Sequence, residues 1–142
     1  MLVGFSFSLK AQDIPMYEYY NTKTHLHFYT TSATELGSGG NGWVQNGILG
    51  YVEAYPANQV NPIYRYYQST SGAHYYTITP NAVPDGFVYE SIIGCAAAPP
   101  IAVLTEVYEF FNSSNGDYYY STSTTVPSGY KLNGGKFYVT ND

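Results

Sequence analysis

The sequence predicts an all-β fold, and three observations support this prediction. Residues that favour pleated, half-buried strands are abundant, with 18 tyrosines and 7 phenylalanines among 142 residues. Glycine and proline, at 14 and 8 residues, supply frequent turns. No long stretch shows the apolar period of a helix. A chain of this length can bury one sizeable core, so we predict a single domain over residues 1–142.

One tyrosine-centred phrase occurs three times in the chain. The copies begin at Tyr17, Tyr64 and Tyr108 and read YEYYN then HFYT, YRYYQ then HYYT, and YEFFN then YYYS. Their starts are spaced 47 and 44 residues apart, a period typical of architectures that use one supersecondary unit per repeat. We therefore predict three repeats, at approximately residues 15–61, 62–105 and 106–142.

Each copy predicts a hairpin followed by further strands. In the second copy the two tyrosine-rich halves flank the short polar loop STSG, which favours a tight connection. A glycine–aromatic pair comes next, and then residues 87–90 and 92–96 predict a third and a fourth strand separated by a kink or bulge. In the first copy, Ser32 and Glu35 have capping-box spacing, which predicts one helical turn.

The ends of the chain predict how the repeats close. Apolar and small residues alternate over residues 2–9, which predicts a strand that pairs with residues 135–140 and seals a ring. Closing a ring removes exposed sheet edges. Three units of up to four strands suit a three-fold pseudosymmetric ring that resembles a three-bladed β-propeller, with a β-trefoil as the alternative.

Charge and cysteine content exclude several classes of partner. The net charge of −5 and the five basic residues do not build the basic groove that nucleic acids require. No segment is long enough for membrane insertion. Cys95 is the only cysteine, so no internal disulfide can form. The sequence leaves open a homodimer formed through the N-terminal strand, and it carries no clear signal peptide.

The repeated phrases resemble a known family. YRYYQSTSGAHYYT and YEFFNSSNGDYYYST, together with the glycine–aromatic pair that follows each, are similar to a tyrosine-rich repeat family filed as a domain of unknown function. The repeats of that family read approximately YRYYN, then GDHFYTT, then GYxYEGIAGYVY. The resemblance covers residues 15–142, and it implies a secreted or appended module and hence an extracellular location.

The three copies depart from the family pattern in chemically important positions. Arg65 matches the arginine of the pattern, whereas the first and third copies carry glutamate there. The third copy has Tyr118 where the family has histidine, and Asn133 where the second copy has Glu90. Three identical pockets are therefore not expected.

Catalysis is not predicted. The histidines His25 and His27 lie on one predicted strand, His74 is distant in the chain, and no third copy of the histidine exists, so a metal site is not expected. Carboxylates such as Glu90 and Glu109 could pair as in a glycoside hydrolase, but no recognised catalytic motif accompanies them. We predict no enzyme, no metal and no cofactor.

The composition instead favours carbohydrate binding. Aromatic rings accept the C–H face of a sugar, while short polar and carboxylate side chains hydrogen-bond its hydroxyls. Repetition adds multivalency. We therefore predict a non-catalytic, lectin-like protein that binds glycans or glycoproteins, in defence or cell-surface recognition. The alternative is a structural or protein-interaction module in which the tyrosines only build the scaffold, and a glycoside hydrolase is the less favoured third choice.

The repeats also predict which residues pack and which bind. Tyr17, Tyr64 and Tyr108 occur in every copy and are predicted to belong to the core. Trp43 is either a core residue or a stacking platform. The predicted ligand-binding residues are Glu18, Tyr20, His27, Trp43, Arg65, Tyr67, His74, Glu90, Glu109 and Asp117.

Overall fold

The computed structural model describes residues 13–99 and 103–141, which form nine antiparallel β-strands and no helix. The strands are β1 (Asp13–Asn21), β2 (His27–Thr30), β3 (Trp43–Glu53), β4 (Pro62–Tyr67), β5 (His74–Thr77), β6 (Val88–Cys95), β7 (Thr105–Phe111), β8 (Tyr118–Ser121) and β9 (Lys131–Val139). The all-β prediction is confirmed. The predicted strand at residues 2–9 lies outside the described residues.

Each copy of the phrase folds into one three-stranded unit whose first strand is central. The first and second units join in a strongly curled six-stranded sheet with the order β2-β1-β3-β6-β4-β5. The third unit forms a separate sheet with the order β8-β7-β9. The first two strands of each unit form the predicted hairpin, in which aromatic residues face each other across the strands, as Tyr66 does with Tyr75.

The hairpin loops share one backbone conformation. Gly72 and Gly116 have φ angles of 77° and 79°, a region that glycine enters without steric cost. His25 occupies the same loop position in the first unit with a φ of 61°. Asn21 supports this loop because its side-chain oxygen accepts hydrogen bonds from the backbone N–H groups of Lys23 and Thr24.

The prediction of a third and a fourth strand in the second unit is wrong, because β6 runs without a break from Val88 to Cys95. The expected kink exists as two register shifts against β4, one between Ile63 and Tyr64 and one between Arg65 and Tyr66. A bulge bends a strand while its pairing resumes on both sides. The helical turn predicted at residues 32–35 is also absent, since that segment forms turns.

These bulges also change which residues enter the core. Tyr17, Tyr64 and Tyr108, which we predicted to be buried, are only half-buried. A register shift immediately precedes each of them and re-aims the side chain. The residue before each of these tyrosines and the residue two places after it are buried instead: Met16, Tyr19, Ile63, Tyr66, Val107 and Phe110.

The third strands of the units meet at their ends, and the contacts are cyclic. The first unit meets the second, the second meets the third, and the third returns to the first. The pairs are Glu53 with Cys95, Ala97 with Tyr138, and Thr140 with Tyr51. Glycine makes this approach possible, because a Cβ atom on Gly50 would overlap the side chain of Val139.

Three tyrosines, here called the tyrosine triad, occupy the centre of the molecule. Tyr29, Tyr76 and Tyr120 come from the second strand of each unit and are each 0% exposed. Their rings meet edge to face, with centroids 5.2 Å apart for Tyr29–Tyr76 and Tyr76–Tyr120 and 5.4 Å apart for Tyr29–Tyr120.

The hydroxyl groups of the triad complete the backbone hydrogen bonding of β2, β5 and β8. These strands lie at the edges of the sheets and carry the triad, and they are called the inner strands below. The Tyr76 hydroxyl accepts the backbone N–H of Tyr29 at 2.6 Å and donates to its carbonyl at 3.0 Å. The Tyr120 hydroxyl accepts the N–H of Tyr76 at 2.9 Å, and the Tyr29 hydroxyl accepts the N–H of Tyr120 at 2.8 Å. Each unit therefore covers the open strand edge of a neighbour with a phenol.

Candidate functional site

Three aromatic clusters lie where one unit meets the next. Cluster A contains Phe28, Trp43, Tyr67 and His74; cluster B contains Tyr75, Phe87, Phe111 and Tyr118; cluster C contains Tyr119, Tyr130, Tyr20 and His27. In each cluster, the residue before a triad tyrosine contributes a ring that faces a ring of the next unit. The two ring centroids are 4.8 Å apart in cluster A, 4.9 Å in B and 4.6 Å in C. The same ring lies 5.8 Å from the ring that follows the glycine in all three clusters. The clusters thus share nearly equal ring spacings.

Cluster A has an exposed rim and a buried floor. Tyr67 is 38% exposed and Trp43 is half-buried, whereas Phe28 and His74 are buried beneath them. The Tyr67 and His74 rings are 5.0 Å apart. The cluster therefore exposes aromatic surface to solvent, while the buried rings of Phe28 and His74 pack against the exposed ones.

A buried arginine organises the charged groups of cluster A. The Arg65 guanidinium lies 4.6 Å from the ring centroid of Phe28. It binds both carboxylate oxygens of Glu35, at 2.6 and 3.0 Å, and its Nε donates to Glu90 at 2.5 Å. Burial alone would lower the pKa of Arg65, but the hydrogen bonds with Glu35 hold it above its ordinary value. Arg65 is therefore a fixed cation that positions two carboxylates.

His74 has one unused hydrogen-bonding group. Its Nε2 atom lies 3.5 Å from Glu90 Oε1. Its Nδ1 atom is buried and, within residues 13–99 and 103–141, is the one buried side-chain nitrogen or oxygen without a partner. Burial lowers the pKa of His74, with Glu90 opposing that effect, so the ring is neutral at pH 7. Because Nδ1 is buried, a ligand at the surface cannot reach it, and the partly exposed Glu90 is the polar side chain that this region presents to solvent.

Cluster C contains a buried carboxylate that orients a histidine. Asp117 is fully buried and accepts the backbone N–H of His27 at 2.8 Å and its Nδ1–H at 2.6 Å. It also accepts a hydrogen bond from the Tyr130 hydroxyl. Burial, reinforced by Asp117, raises the pKa of Tyr130 well above its ordinary value. Because Asp117 binds Nδ1, Nε2 is the ring nitrogen of His27 that is left for another partner.

The rim of cluster C is formed by tyrosines. Tyr20, Tyr119 and Tyr130 are half-buried, so each keeps part of its ring at the surface. The His27 ring lies between Tyr20 at 5.1 Å and Tyr119 at 4.6 Å. The Tyr20 hydroxyl is 2.6 Å from Nδ1 of the exposed His25. Cluster C thus combines aromatic surface with an imidazole and a carboxylate.

Cluster B lacks these polar groups. Tyr118 takes the histidine position and contacts three rings, those of Tyr75, Phe87 and Phe111. Burial, with a contribution from the nearby Glu109, raises the pKa of Tyr75 to about 12. Its four members include neither an imidazole nor a carboxylate, so we assign cluster B to packing.

The glutamates that occupy the position of Arg65 in the other two units serve the tyrosine triad. Glu18 accepts from the Tyr29 hydroxyl at 2.9 Å and from Asn46 at 3.2 Å. Glu109 accepts from the Tyr120 hydroxyl at 2.9 Å and from the Asn133 amide at 3.1 Å. Burial raises the pKa of both carboxyl groups. These two predicted ligand-binding residues are therefore engaged inside the protein.

The raised pKa of Glu109 predicts a pH dependence of stability. A carboxyl whose pKa lies higher in the folded than in the unfolded chain binds protons preferentially when folded, so its contribution to stability grows as pH falls towards its ordinary value of 4.5. Glu109→Gln removes this term. We expect the stability of the wild type relative to this variant to increase between about pH 7 and about pH 5. Denaturant titrations at both pH values measure it, with the exposed Asp85→Asn as control, and an unchanged or decreasing difference would contradict the assignment.

The structure gathers eight of the ten predicted site residues into two places. Trp43, Arg65, Tyr67, His74 and Glu90 lie in or beside cluster A, and Tyr20, His27 and Asp117 in or beside cluster C. Sequence reasoning missed Tyr119, Tyr130 and Glu35. Tyr130 carried a usable signal, since it follows a glycine as Trp43 does, whereas nothing in the sequence pairs Glu35 with Arg65.

Two features are absent from the described part of the chain. No group of three or more histidine, cysteine, aspartate or glutamate side chains there is arranged to hold a metal ion. Within the same residues, no helix with the length and apolar character of a membrane span occurs.

Comparison with known proteins gives one match. The profile of a family described as "Domain of unknown function (DUF5648)" matches residues 3–83, more than half of the chain. No curated protein and no solved structure matches the sequence.

Proposed function

The chain belongs to the DUF5648 family, and from that premise we propose that it is a lectin-like carbohydrate-binding protein without catalytic activity. The family description carries no function, so the proposal depends on cluster A. That cluster combines partly exposed aromatic rings with a carboxylate that a buried arginine orients. This combination is the single observation that supports the proposal most strongly.

The chemistry of cluster A matches that of a sugar. A pyranose has apolar C–H faces that pack on aromatic rings and a rim of hydroxyl groups that needs several fixed hydrogen bonds. Tyr67 and Trp43 offer the rings. Glu90, whose side chain is 35% exposed, offers carboxylate oxygens held in place by Arg65. Pre-oriented partners favour binding because little side-chain entropy is lost when the sugar arrives.

The positions of the glutamates favour binding over hydrolysis. A glycoside hydrolase needs two carboxyl groups that flank one accessible bond. Glu90 is held by Arg65 beside cluster A, whereas Glu109 is buried against the tyrosine triad. Because the two carboxyl groups bind different partners in different parts of the protein, they do not form such a pair.

We also infer that the three units form the pseudosymmetric ring that the sequence predicts. The triad supports this, since each phenol bonds the backbone of a neighbouring unit in a closed cycle. The cyclic pairing of the third strands and the near-equal ring spacings in clusters A, B and C support it as well. A three-bladed propeller is the proposed form, with a β-trefoil as its alternative.

A glycan array tests the proposed function. We expect the wild-type chain to bind a restricted set of glycans and Tyr67→Ala to weaken binding at cluster A by about tenfold or more, as loss of a central aromatic contact does. Tyr89→Ala is the matched control, because Tyr89 is a 54% exposed tyrosine of the same unit outside the cluster. This control is expected to bind like the wild type.

Other outcomes would redirect the assignment. A blank array at high protein concentration would favour the protein-interaction module, which pull-down from native extracts would then test. Binding that Tyr67→Ala leaves unchanged would remove cluster A from the proposal. Turnover of an aryl glycoside that Glu90→Gln abolishes would restore the glycoside hydrolase.

A further inference from the structure

We propose that one chain carries two carbohydrate sites of different chemistry, at clusters A and C, and none at cluster B, so that a single chain cross-links two glycans. This inference rests on the proposed function and extends it to the number of sites and to a bridging activity. It follows from the comparison of three interfaces that share a geometry and differ in their polar groups.

The shared geometry makes the comparison meaningful. The two rings that the next unit contributes to each cluster are also evenly spaced. Their centroids are 5.0 Å apart in cluster A, 4.9 Å in B and 5.1 Å in C. Tyr67, Phe111 and Tyr20 occupy the same position in the three clusters. The clusters therefore differ mainly in side-chain chemistry, and in one ring angle: the central pair meets at 81° in A and 75° in B but at 44° in C.

Clusters A and C both place an imidazole beside a carboxylate. In cluster A, His74 Nε2 lies 3.5 Å from Glu90, and a buried arginine fixes that carboxylate. In cluster C, His27 Nδ1 lies 2.6 Å from the fully buried Asp117. The two sites present different polar atoms, since cluster A offers an oxygen of the partly exposed Glu90 and cluster C offers Nε2 of His27. We therefore expect both sites to bind the same sugar, with different affinities, so that both are filled at saturation.

Cluster B has neither feature. Tyr118 replaces the imidazole, Phe111 has no hydroxyl at the rim, and both oxygens of the nearby Glu109 are already bonded by Tyr120 and Asn133. A sugar placed there would meet neither an imidazole nor a carboxylate with an unbonded oxygen, so fewer of its hydroxyls would be paired, which opposes binding.

Counting bound sugars tests the inference. The probe is the free oligosaccharide that corresponds to the strongest array signal of the wild type, and native mass spectrometry at saturating concentration gives the number bound per chain. We expect two for the wild type. The matched set Tyr20→Ala, Tyr67→Ala and Phe111→Ala changes one equivalent position in each cluster, and we expect one, one and two bound oligosaccharides respectively.

Agglutination of beads coated with the same oligosaccharide tests the bridging activity. We expect the wild type and Phe111→Ala to agglutinate the beads, whereas Tyr20→Ala and Tyr67→Ala bind to them without agglutination. Size-exclusion chromatography of each protein identifies the monomeric fraction used in the assay.

The possible failures are distinguishable. A wild-type count of one or three, or a loss of one oligosaccharide in Phe111→Ala, would overturn the two-site inference and leave the lectin proposal standing. Absence of any binding would overturn the proposed function itself. The wild-type count needs no variant, so poor folding of a substituted protein does not prevent a decision.

Discussion

Replacing Tyr76 with phenylalanine is expected to lower the free energy of unfolding by about 1–3 kcal/mol. The substitution keeps the ring of the tyrosine triad and removes only the hydroxyl that accepts the backbone N–H of Tyr29 at 2.6 Å. The carbonyl of Tyr29 retains a hydrogen bond from Arg65 at 3.2 Å, but the N–H has no other partner nearby and stays buried. A buried donor without an acceptor costs its full desolvation energy, which is why one oxygen atom has such an effect.

Urea denaturation of the variant and of a matched control measures this effect. Tyr66→Phe is the control, because Tyr66 is also buried and lies in the same unit, but its hydroxyl donates only a 3.3 Å bond to the carbonyl of Pro80. We expect the control to lose less than about 1 kcal/mol. Equal losses in the two variants would mean that the triad hydroxyls do not have the structural role described.

Replacing Arg65 with methionine is expected to destabilise the protein by about 3 kcal/mol. Arg65 is 4% exposed and holds Glu35 and Glu90 at the same time, so its removal leaves two carboxylates facing each other without a cation. Those side chains are 36% and 35% exposed. Water can therefore solvate them in part, and the loss lies at the lower end of the range for buried ion pairs.

The geometry of the guanidinium matters as well as its charge. Arg65→Lys keeps the charge, but an ammonium group cannot bind Glu35 through two parallel bonds and stack on Phe28 together. We expect it to lose about 1–2 kcal/mol. Lys23→Met, which removes an exposed positive charge, controls for net charge and is expected to be near neutral. An Arg65→Met variant as stable as this control would contradict the proposed role of Arg65.

The hairpins could be predicted from the sequence because local patterns determine them. Alternating aromatic residues on both sides of a short polar loop specify a pair of strands, and the structure has such a pair in all three units. Bulges are not specified in this way. The register shifts before Tyr17, Tyr64 and Tyr108 depend on how the third strand crosses the first, so the sequence predicted these tyrosines to be more deeply buried than they are. Tyr64 still packs against the core while half-buried.

Most residues of the candidate site could be predicted from the sequence, but which of them lie together could not. His27 and Asp117 were both predicted ligand-binding residues, yet they are 90 positions apart and belong to different copies of the phrase. Only the contact between the first and third units brings them together. The environment of Arg65 was missed for the same reason, since its main partner, Glu35, lies in a turn of the preceding unit that resembled a helix start.

The tyrosine triad also has a consequence for how the chain is made. In the triad, three hydrogen bonds from a backbone N–H to a tyrosine hydroxyl join residues that are 47, 44 and 91 positions apart. The last of these bonds links the first unit to the third. During synthesis, a first or second unit that has emerged alone carries an inner strand whose edge has no phenol to cover it. The native centre can therefore close only after the third unit has left the ribosome, and until then these strand edges are open to pairing with other strands.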